Sequence, residues 1–240
     1  MESLTGDAYT LSIAGCMHAG RTGQTLAFSK ALSAIAIAEP SYNISTPFFE
    51  SNGTADLTKS VLDQRGLRAG RVVVVSLPAL FHSGVKAWRM CDISGNRSLS
   101  VTLSGRDMEG RFGISMAFYP CSGDRTEPKG SEFPTHETLV IGSPLSRDGT
   151  GAIFGYAIKV NEAMGRLNSK AIFIVQGDKF DGEKKSRFGS ALIAAPGNNS
   201  ESSGRTSFLA AAPLADLGFP APDNDQRGRL FLVDIDEAEL

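Results

Sequence analysis

A short phrase occurs three times in this chain, and it constrains the fold more than any other feature of the sequence. The three copies read RTGQTLAF, GRFGISMAF and SRFGSALIAA. Their central glycines are Gly23, Gly113 and Gly189, so successive copies lie 90 and 76 residues apart. Self-similarity of this kind indicates a fold that is built by repeating one unit of secondary structure.

The similarity extends beyond the phrase to the segments on both sides. Each copy is preceded by a predicted strand in which apolar and polar residues alternate and which ends near a glycine. A strand of small apolar residues that ends in proline follows the copy, and a strand that begins at glycine comes next. The preceding strands are 9–15, 97–105 and 171–177, the small-residue strands are 33–40, 138–144 and 207–213, and the last strands are 69–77, 150–158 and 227–235.

The order of these segments predicts an all-β fold with four strands in each repeat unit. Four-stranded antiparallel sheets that stack radially cover one another's faces and leave only short edges, as in a β-propeller. We therefore interpret the chain as one repeat region, a partial β-propeller of about three blades with units at about 9–104, 105–175 and 176–240. Two long insertions, within 41–67 and 119–137, have the composition of surface loops.

A β-sandwich with accidental self-similarity is the alternative fold. A doubly wound α/β fold is disfavoured, because no strand leads into a clear amphipathic helix or a Gly-x-Gly-x-x-Gly motif. The best helical candidate, 54–67, falls within the first insertion. In the propeller interpretation the phenylalanine of each Phe-Gly pair fills the gap between neighbouring sheets, and Thr22 replaces it in the first unit.

Composition and targeting signals restrict the class of function. The formal net charge is -2 and the basic residues are scattered, so we expect no nucleic-acid partner. No apolar run approaches the roughly 18 residues of a transmembrane helix, and the first ten residues show no secretory signal. Four Asn-x-Ser/Thr sequons in predicted loops nevertheless favour a secreted glycoprotein. They are Asn43, Asn52, Asn96 and Asn198.

The cysteines leave two interpretations open. Cys16, Cys91 and Cys121 have no Cys-x-x-Cys spacing, and an odd number cannot all pair within the chain. Buried or free thiols are the simpler interpretation, and a single disulfide is the alternative. The sequence does not indicate which two cysteines would form it.

The order of the repeated segments resembles the FG-GAP repeat of integrin-α-type β-propellers. The copies are RFGISMAF…LVIGSP…TGAIFGYAI and RFGSALIAA…FLAAAP…RGRLFLVDI, with the degenerate RTGQTLAF…IAIAEP…AGRVVVVSL. The last copy and the segment FIVQGDKFDGEKKSRFG are similar to the C-terminal propeller of the glycosylphosphatidylinositol (GPI)-specific phospholipase D family. That resemblance implies a secreted hydrolase in which a separate, zinc-binding, His-rich domain cleaves the phosphodiester of GPI anchors.

We expect no catalytic, cofactor or metal site within this chain. Zinc is expected only in the separate domain, because three histidines in different loops or turns form no ligand set. Calcium is not expected, because the loops lack an Asp-x-Asp-x-Asp-Gly pattern. Ser115 partly matches a nucleophile elbow, but it falls in a predicted strand. The histidines are His18, His82 and His136, and the acidic residues considered for calcium are Asp124, Glu127, Glu132, Asp178, Asp181 and Glu201.

Two functions follow from the resemblance. The first is the propeller portion of a phospholipase-like enzyme, whose partner would be a GPI-anchored protein or a membrane surface. The second is an integrin-α-like extracellular binding or adhesion module with a protein partner and no enzymatic activity. Because propellers typically have roughly four to eight blades, three units favour a part of a longer polypeptide. Association of copies and an open arc are the alternatives.

Overall fold

The structure is a computed structural model that describes residues 11–16, 20–42, 68–105, 107, 109–120, 136–161, 166–178, 185–194, 205–215 and 228–236. Within these residues the prediction of an all-β fold is confirmed, because strands predominate and form several antiparallel sheets. The helices are α1 (Leu77–His82), α2 (Met90–Gly95) and the single turn α3 (Ser146–Gly149).

Three antiparallel sheets follow one another along the chain, and within each sheet the strands are hydrogen-bonded in chain order. The first sheet contains β2 (Leu26–Ser29), β3 (Ala34–Glu39), β4 (Arg71–Ser76) and β6 (Ser100–Ser104). The second contains β7 (Ser115–Pro120), β8 (His136–Ser143), β9 (Ala152–Asn161) and β10 (Arg166–Gln176), and the third contains β11 (Ala191–Ala194), β12 (Arg205–Ala212) and β13 (Arg229–Asp236). A separate parallel pair joins β1 (Ser12–Ala14) to β5 (Ala87–Arg89).

The sheets pack face to face through two apolar cores. Alanines of β3 and valines of β4 meet apolar side chains of β7, β8 and β9 in the first core, between the first and second sheets. Phe208 and Val233 of the third sheet meet Val140 and Ile153 of the second sheet in the second core. The first strands of consecutive sheets also touch, β2 with β7 and β7 with β11.

The repeated phrase lies at the junctions between sheets. Phe112 and Phe188 are fully buried in the first and second cores, respectively. Their backbone N–H groups donate to the carbonyl oxygens of Ala69, at 3.0 Å, and Thr150, at 3.1 Å, in the preceding sheet's connection. Each Phe-Gly segment therefore attaches its own sheet to the preceding one, as the sequence predicts for the phenylalanine.

The glycine of the phrase marks a close approach between sheets. Gly113 has a φ of +95°, and a Cβ placed on it would lie 2.9 Å from a methyl group of Val72 and 3.0 Å from Cβ of Ala38. Gly189 has a φ of +84°, and its Cβ would lie 2.9 Å from the carbonyl oxygen of Ala152. Both the left-handed backbone and the contact distances require glycine at these positions.

A third core covers the other face of the first sheet. Val73 and Val75 of β4 pack there against Leu80 of α1 and against Met90 and Ile93 of α2. The sequence predicts a strand through Leu77, but β4 ends at Ser76, whose side chain accepts from the Ala79 N–H and caps α1. Proline in the first turn of α1 completes a helix start.

A disulfide joins the N-terminal segment to this third core. Cys16 and Cys91 are bonded across 75 residues of sequence, with their Cα atoms 5.8 Å apart. The interpretation as free thiols is therefore wrong for this pair, and the alternative of a single disulfide is confirmed. β1 pairs with β5 in this region and belongs to none of the three antiparallel sheets. Cys121 lies outside the described residues.

Candidate binding face at the strand ends

The three copies of the phrase form the same turn. In each copy the backbone N–H of the residue after glycine donates to the carbonyl oxygen of the arginine three positions earlier, at 3.1, 3.2 and 3.2 Å. Glycine at positive φ in the third position is the requirement of a type II β-turn. The arginines that open the three turns are Arg21, Arg111 and Arg187.

These arginines have a strained backbone. Their φ angles are +56°, +54° and +57°, in the left-handed region that side-chain-bearing residues seldom occupy. Arg68 and Arg147, in the turns before β4 and β9, have the same conformation, at +53° and +52°. A non-glycine residue in this conformation costs about 1–2 kcal/mol. Of the nine described non-glycine residues with positive φ, six are basic: the five arginines and Lys185.

All five arginines lie at one end of the sheets. The N–H of Arg111 donates to the carbonyl oxygen of Arg68 at 3.4 Å, which places the turn before β7 beside the turn before β4. At the next junction the N–H of Arg187 donates to the carbonyl oxygen of Gly149, next to the turn of Arg147. We call this surface, defined by Arg21, Arg68, Arg111, Arg147 and Arg187, the arginine face.

The arginine face also carries acidic side chains. Arg147 donates to Oε1 of Gln176 at 2.8 Å and lies 3.8 Å from a carboxylate oxygen of Asp178. Asp107, Glu109 and Asp148 occur in the same set of turns. Arg21 and Arg187 are exposed, and Arg111 is half-buried. The face can therefore present planar, multidentate donors to carboxylate, phosphate or sulfate groups.

A buried ionic network lies beneath the first of these turns. Glu39 and Arg71 are cross-strand partners in β3 and β4, and their side chains form an ion pair with both residues almost fully buried. The hydroxyl of Thr22 donates to the Glu39 carboxylate, and the Arg71 guanidinium lies 3.7 Å over the ring of Tyr42. Arg71 also donates to Oγ of Ser94 at 3.2 Å.

This network explains why the first copy of the phrase has threonine in place of phenylalanine. A buried carboxylate needs hydrogen-bond donors as well as a counter-charge. Thr22 supplies one, whereas a phenylalanine at this position would leave that carboxylate oxygen without its donor. The corresponding positions on the second strands of the other two sheets are Ser143 and Ala212, and phenylalanine is retained there.

Among the sequons, only Asn96 lies in the described part of the chain. It is exposed at the C-terminal end of α2, and its Oδ1 accepts from the N–H and the hydroxyl of Ser98, at 3.0 and 2.6 Å. Exposure of the residue is what glycosylation of its side chain would require. Asn43, Asn52 and Asn198 lie outside the described residues.

The described residues among the other candidates from the sequence lie on different elements of the fold. His82 is exposed at the end of α1, where its Nδ1 lies 2.7 Å from the carbonyl oxygen of Pro78. Ser115 is buried in β7 and donates to the carbonyl oxygen of Gly189 at 2.7 Å, so it helps to join the second and third sheets. His136 begins β8, and Asp178 belongs to the arginine face. His18, Asp124, Glu127, Glu132, Asp181 and Glu201 lie outside the described residues.

The described residues contain no group of three or more His, Cys, Asp or Glu side chains that could hold a metal ion. None of their helices has the length and apolar character needed to cross a membrane.

One buried titratable group lies in the second core. Burial raises the pKa of the Tyr119 phenol well above its ordinary value. Its ring lies 5.8 Å from that of Phe208, and within the described structure its hydroxyl has no hydrogen-bond partner. The phenol therefore remains protonated at neutral pH and contributes to packing.

Comparison with known proteins adds no identification. No protein-family model matches the chain, and no curated protein sequence matches it significantly. The arginine face could have been suspected from the sequence, since arginine precedes x-Gly in every copy of the phrase. The left-handed conformation of those arginines has no sequence signal, because nothing in a local pattern indicates positive φ for that residue type.

Proposed function

We propose that this chain is a segment of an FG-GAP-type β-propeller and that it serves as a binding module. Support for the propeller arrangement comes from three consecutive sheets with strands in chain order, and from the contacts between their first strands. The Phe-Gly turn at each junction is further support. The disulfide and the sequons support an extracellular location, because disulfides persist in oxidising compartments.

The recurrence of arginine at strained positions of one face is the observation that carries the binding role. Asparagine or glycine would form each turn at a lower conformational cost, because both tolerate the left-handed region. Strain that recurs at equivalent sites points to a use for the side chain itself. A long, permanently charged guanidinium suits the recognition of acidic or phosphorylated groups. The proposed ligand class is therefore anionic.

This role can be tested by replacing the three arginines of the phrase with asparagine. We expect the triple variant R21N/R111N/R187N to elute from an immobilised polyanion column at clearly lower salt than the wild type, since fewer cations displace counterions from the polyanion. Its free energy of unfolding should stay equal or rise, because asparagine relieves strain.

The matched control for this experiment is K30N/R97N/R166N. Lys30, Arg97 and Arg166 are exposed at the opposite ends of the strands in the first and second sheets. This variant also loses three positive charges but leaves the arginine face intact, so its elution should change less than that of R21N/R111N/R187N. Equal elution of R21N/R111N/R187N and the wild type would contradict the proposed role of the face.

The second candidate is the propeller portion of a GPI-specific phospholipase D-like protein. The arginine face favours it as well, because a GPI anchor carries phosphodiester groups that guanidinium groups bind. Hydrolysis would then take place in a zinc domain outside this chain, and the described residues would contribute binding.

Phosphatidylcholine vesicles that carry a GPI-anchored protein separate the two candidates. Co-sedimentation of the chain with these vesicles, and no binding to the same protein after release from its anchor, would support the phospholipase-like function. Equal binding to the anchored and released forms would support the protein-binding module. Vesicles without the protein provide the background, and binding to neither form would argue against the anchor as the ligand.

A further inference from the structure

The last sheet presents an exposed apolar face. Ile193, Leu230 and Leu232 are 64%, 73% and 60% exposed. Ile193 lies opposite Leu209, and Leu209 lies opposite Leu232, so one row of apolar side chains crosses all three strands of the sheet. We call this surface, defined by Ile193, Leu209, Leu230 and Leu232, the trailing face.

The repeat shows what normally covers these positions. Leu230 follows the glycine at the start of its strand by two residues, and the equivalent residues of the first and second sheets are Val72 and Ile153. Both are fully buried, because the next sheet packs on them. Ile193 is likewise equivalent to Ala27 and Ala117, which pack into the first and second cores. The trailing face is therefore the same kind of surface as two faces that another sheet covers.

The first sheet presents the opposite kind of face. Leu26 and Phe28 of β2 are 56% and 59% exposed. Their equivalents in the second sheet, Met116 and Phe118, pack into the first core, against the preceding sheet. We call the surface formed by Leu26 and Phe28 the leading face. The block of α1, β5 and α2 covers β3 and β4 on this side and leaves these two side chains of β2 exposed.

We propose that the trailing face of one molecule binds the leading face of a second copy of this chain. At both internal interfaces, the sheet face that corresponds to the trailing face packs against the face of the next sheet that corresponds to the leading face. Neither interface joins two corresponding faces. The copies would thus continue the stacking that already holds the three sheets together. Such a contact is heterologous, so repetition gives either a closed ring or an open row of molecules.

The small extent of the exposed leading face determines how strongly two copies are expected to associate. Only β2 is available there, whereas each internal interface uses several strands. The contact should therefore be weaker than the internal interfaces and should depend on protein concentration. Charge placed among its apolar side chains would be desolvated without a partner, which is strongly unfavourable.

The test uses sedimentation velocity of the full 240-residue chain over a wide range of concentration, with two variants. L230E places a carboxylate on the trailing face, and F28E places one on the leading face. Each variant alone should weaken self-association by about 30-fold or more, the effect of losing a central interface residue. I174E is the matched control, because Ile174 is 48% exposed on β10 of the middle sheet, away from both end faces.

Mixing the two variants is the decisive measurement. L230E retains its leading face and F28E retains its trailing face, so an equimolar mixture should form a one-to-one dimer that neither variant forms alone. This result also shows that both variants are folded. A wild type that stays monomeric at every concentration would overturn the proposal. So would a mixture that stays monomeric, or a wild-type oligomer that only one of the two variants dissociates.

Discussion

The Cys16–Cys91 disulfide allows a prediction of stability with a calculable size. The bond closes a loop of 75 residues that contains most of the first sheet. In the chain-entropy treatment, a cross-link over a loop of this length reduces the entropy of the unfolded chain and stabilises the fold by about 4.5 kcal/mol at about 25 °C. Replacement of both cysteines by alanine should therefore lower the free energy of unfolding by up to this amount.

The assay is urea denaturation of the C16A/C91A variant and its parent in a C121S background. This background leaves only Cys16 and Cys91 in the chain, so a thiol titration of the unreduced parent must find no free thiol if the bond forms. Alanine is preferred to serine because Cys16 and Trp88 pack against the apolar residues of the third core. Reduction of the parent should reproduce most of the loss.

Two results would refute this reasoning. Free thiols at both positions in the oxidised parent would show that the bond does not form. A loss of less than about 1 kcal/mol, against the expected 4.5 kcal/mol, would mean that the unfolded chain is already restricted over this loop. Peptide mapping without reduction identifies the linked pair directly and distinguishes these two outcomes.

Three further sets of substitutions test the packing that the structure shows. G113A should destabilise the fold by about 2–4 kcal/mol, through backbone strain and overpacking. G23A should cost only the backbone strain, because Gly23 has a φ of +76° and no atom lies within 4 Å of the new Cβ. Urea denaturation of both variants checks this difference. Y119F should stabilise by about 1 kcal/mol by removing a buried hydroxyl that has no hydrogen-bond partner within the described structure. Because burial raises the pKa of this phenol, the wild type should lose more stability than Y119F as the pH rises above about 10. R71M should lower the free energy of unfolding by about 3–5 kcal/mol, because it leaves Glu39 buried and unpaired. The double variant E39L/R71M should recover much of that loss when measured by urea denaturation.

The strands were largely predictable because their signals are local. Period-two alternation, glycine at strand starts and proline after strand ends placed β3, β8 and β12 within a few residues of their observed bounds. The start of α1 was predictable as well, since serine followed by leucine and proline is an N-terminal helix signal. The preceding run of valines instead favoured extension of β4 through Leu77.

The third core and the disulfide could not be predicted from local pattern. Pairing of Cys16 with Cys91 depends on the approach of segments 75 residues apart, and three cysteines allow three pairings. The ion pair of Glu39 and Arg71 depends on strand register across the 31-residue connection between β3 and β4. Only the structure connects Thr22 in the phrase with that pair. The departure from Phe-Gly was visible in the sequence, but its cause was not.

The three positions of the repeated turn have different physical roles. In the second and third copies, glycine is fixed by positive φ and by the contact between sheets, and phenylalanine is fixed by burial in the core. Arginine meets neither requirement, since it is not among the residues of either core and its backbone is strained. Substitutions in one turn should therefore separate stability from binding. Loss of glycine or phenylalanine should lower both stability and binding. Loss of arginine should lower only binding, because the arginine side chain adds no packing to the cores and its backbone conformation is strained.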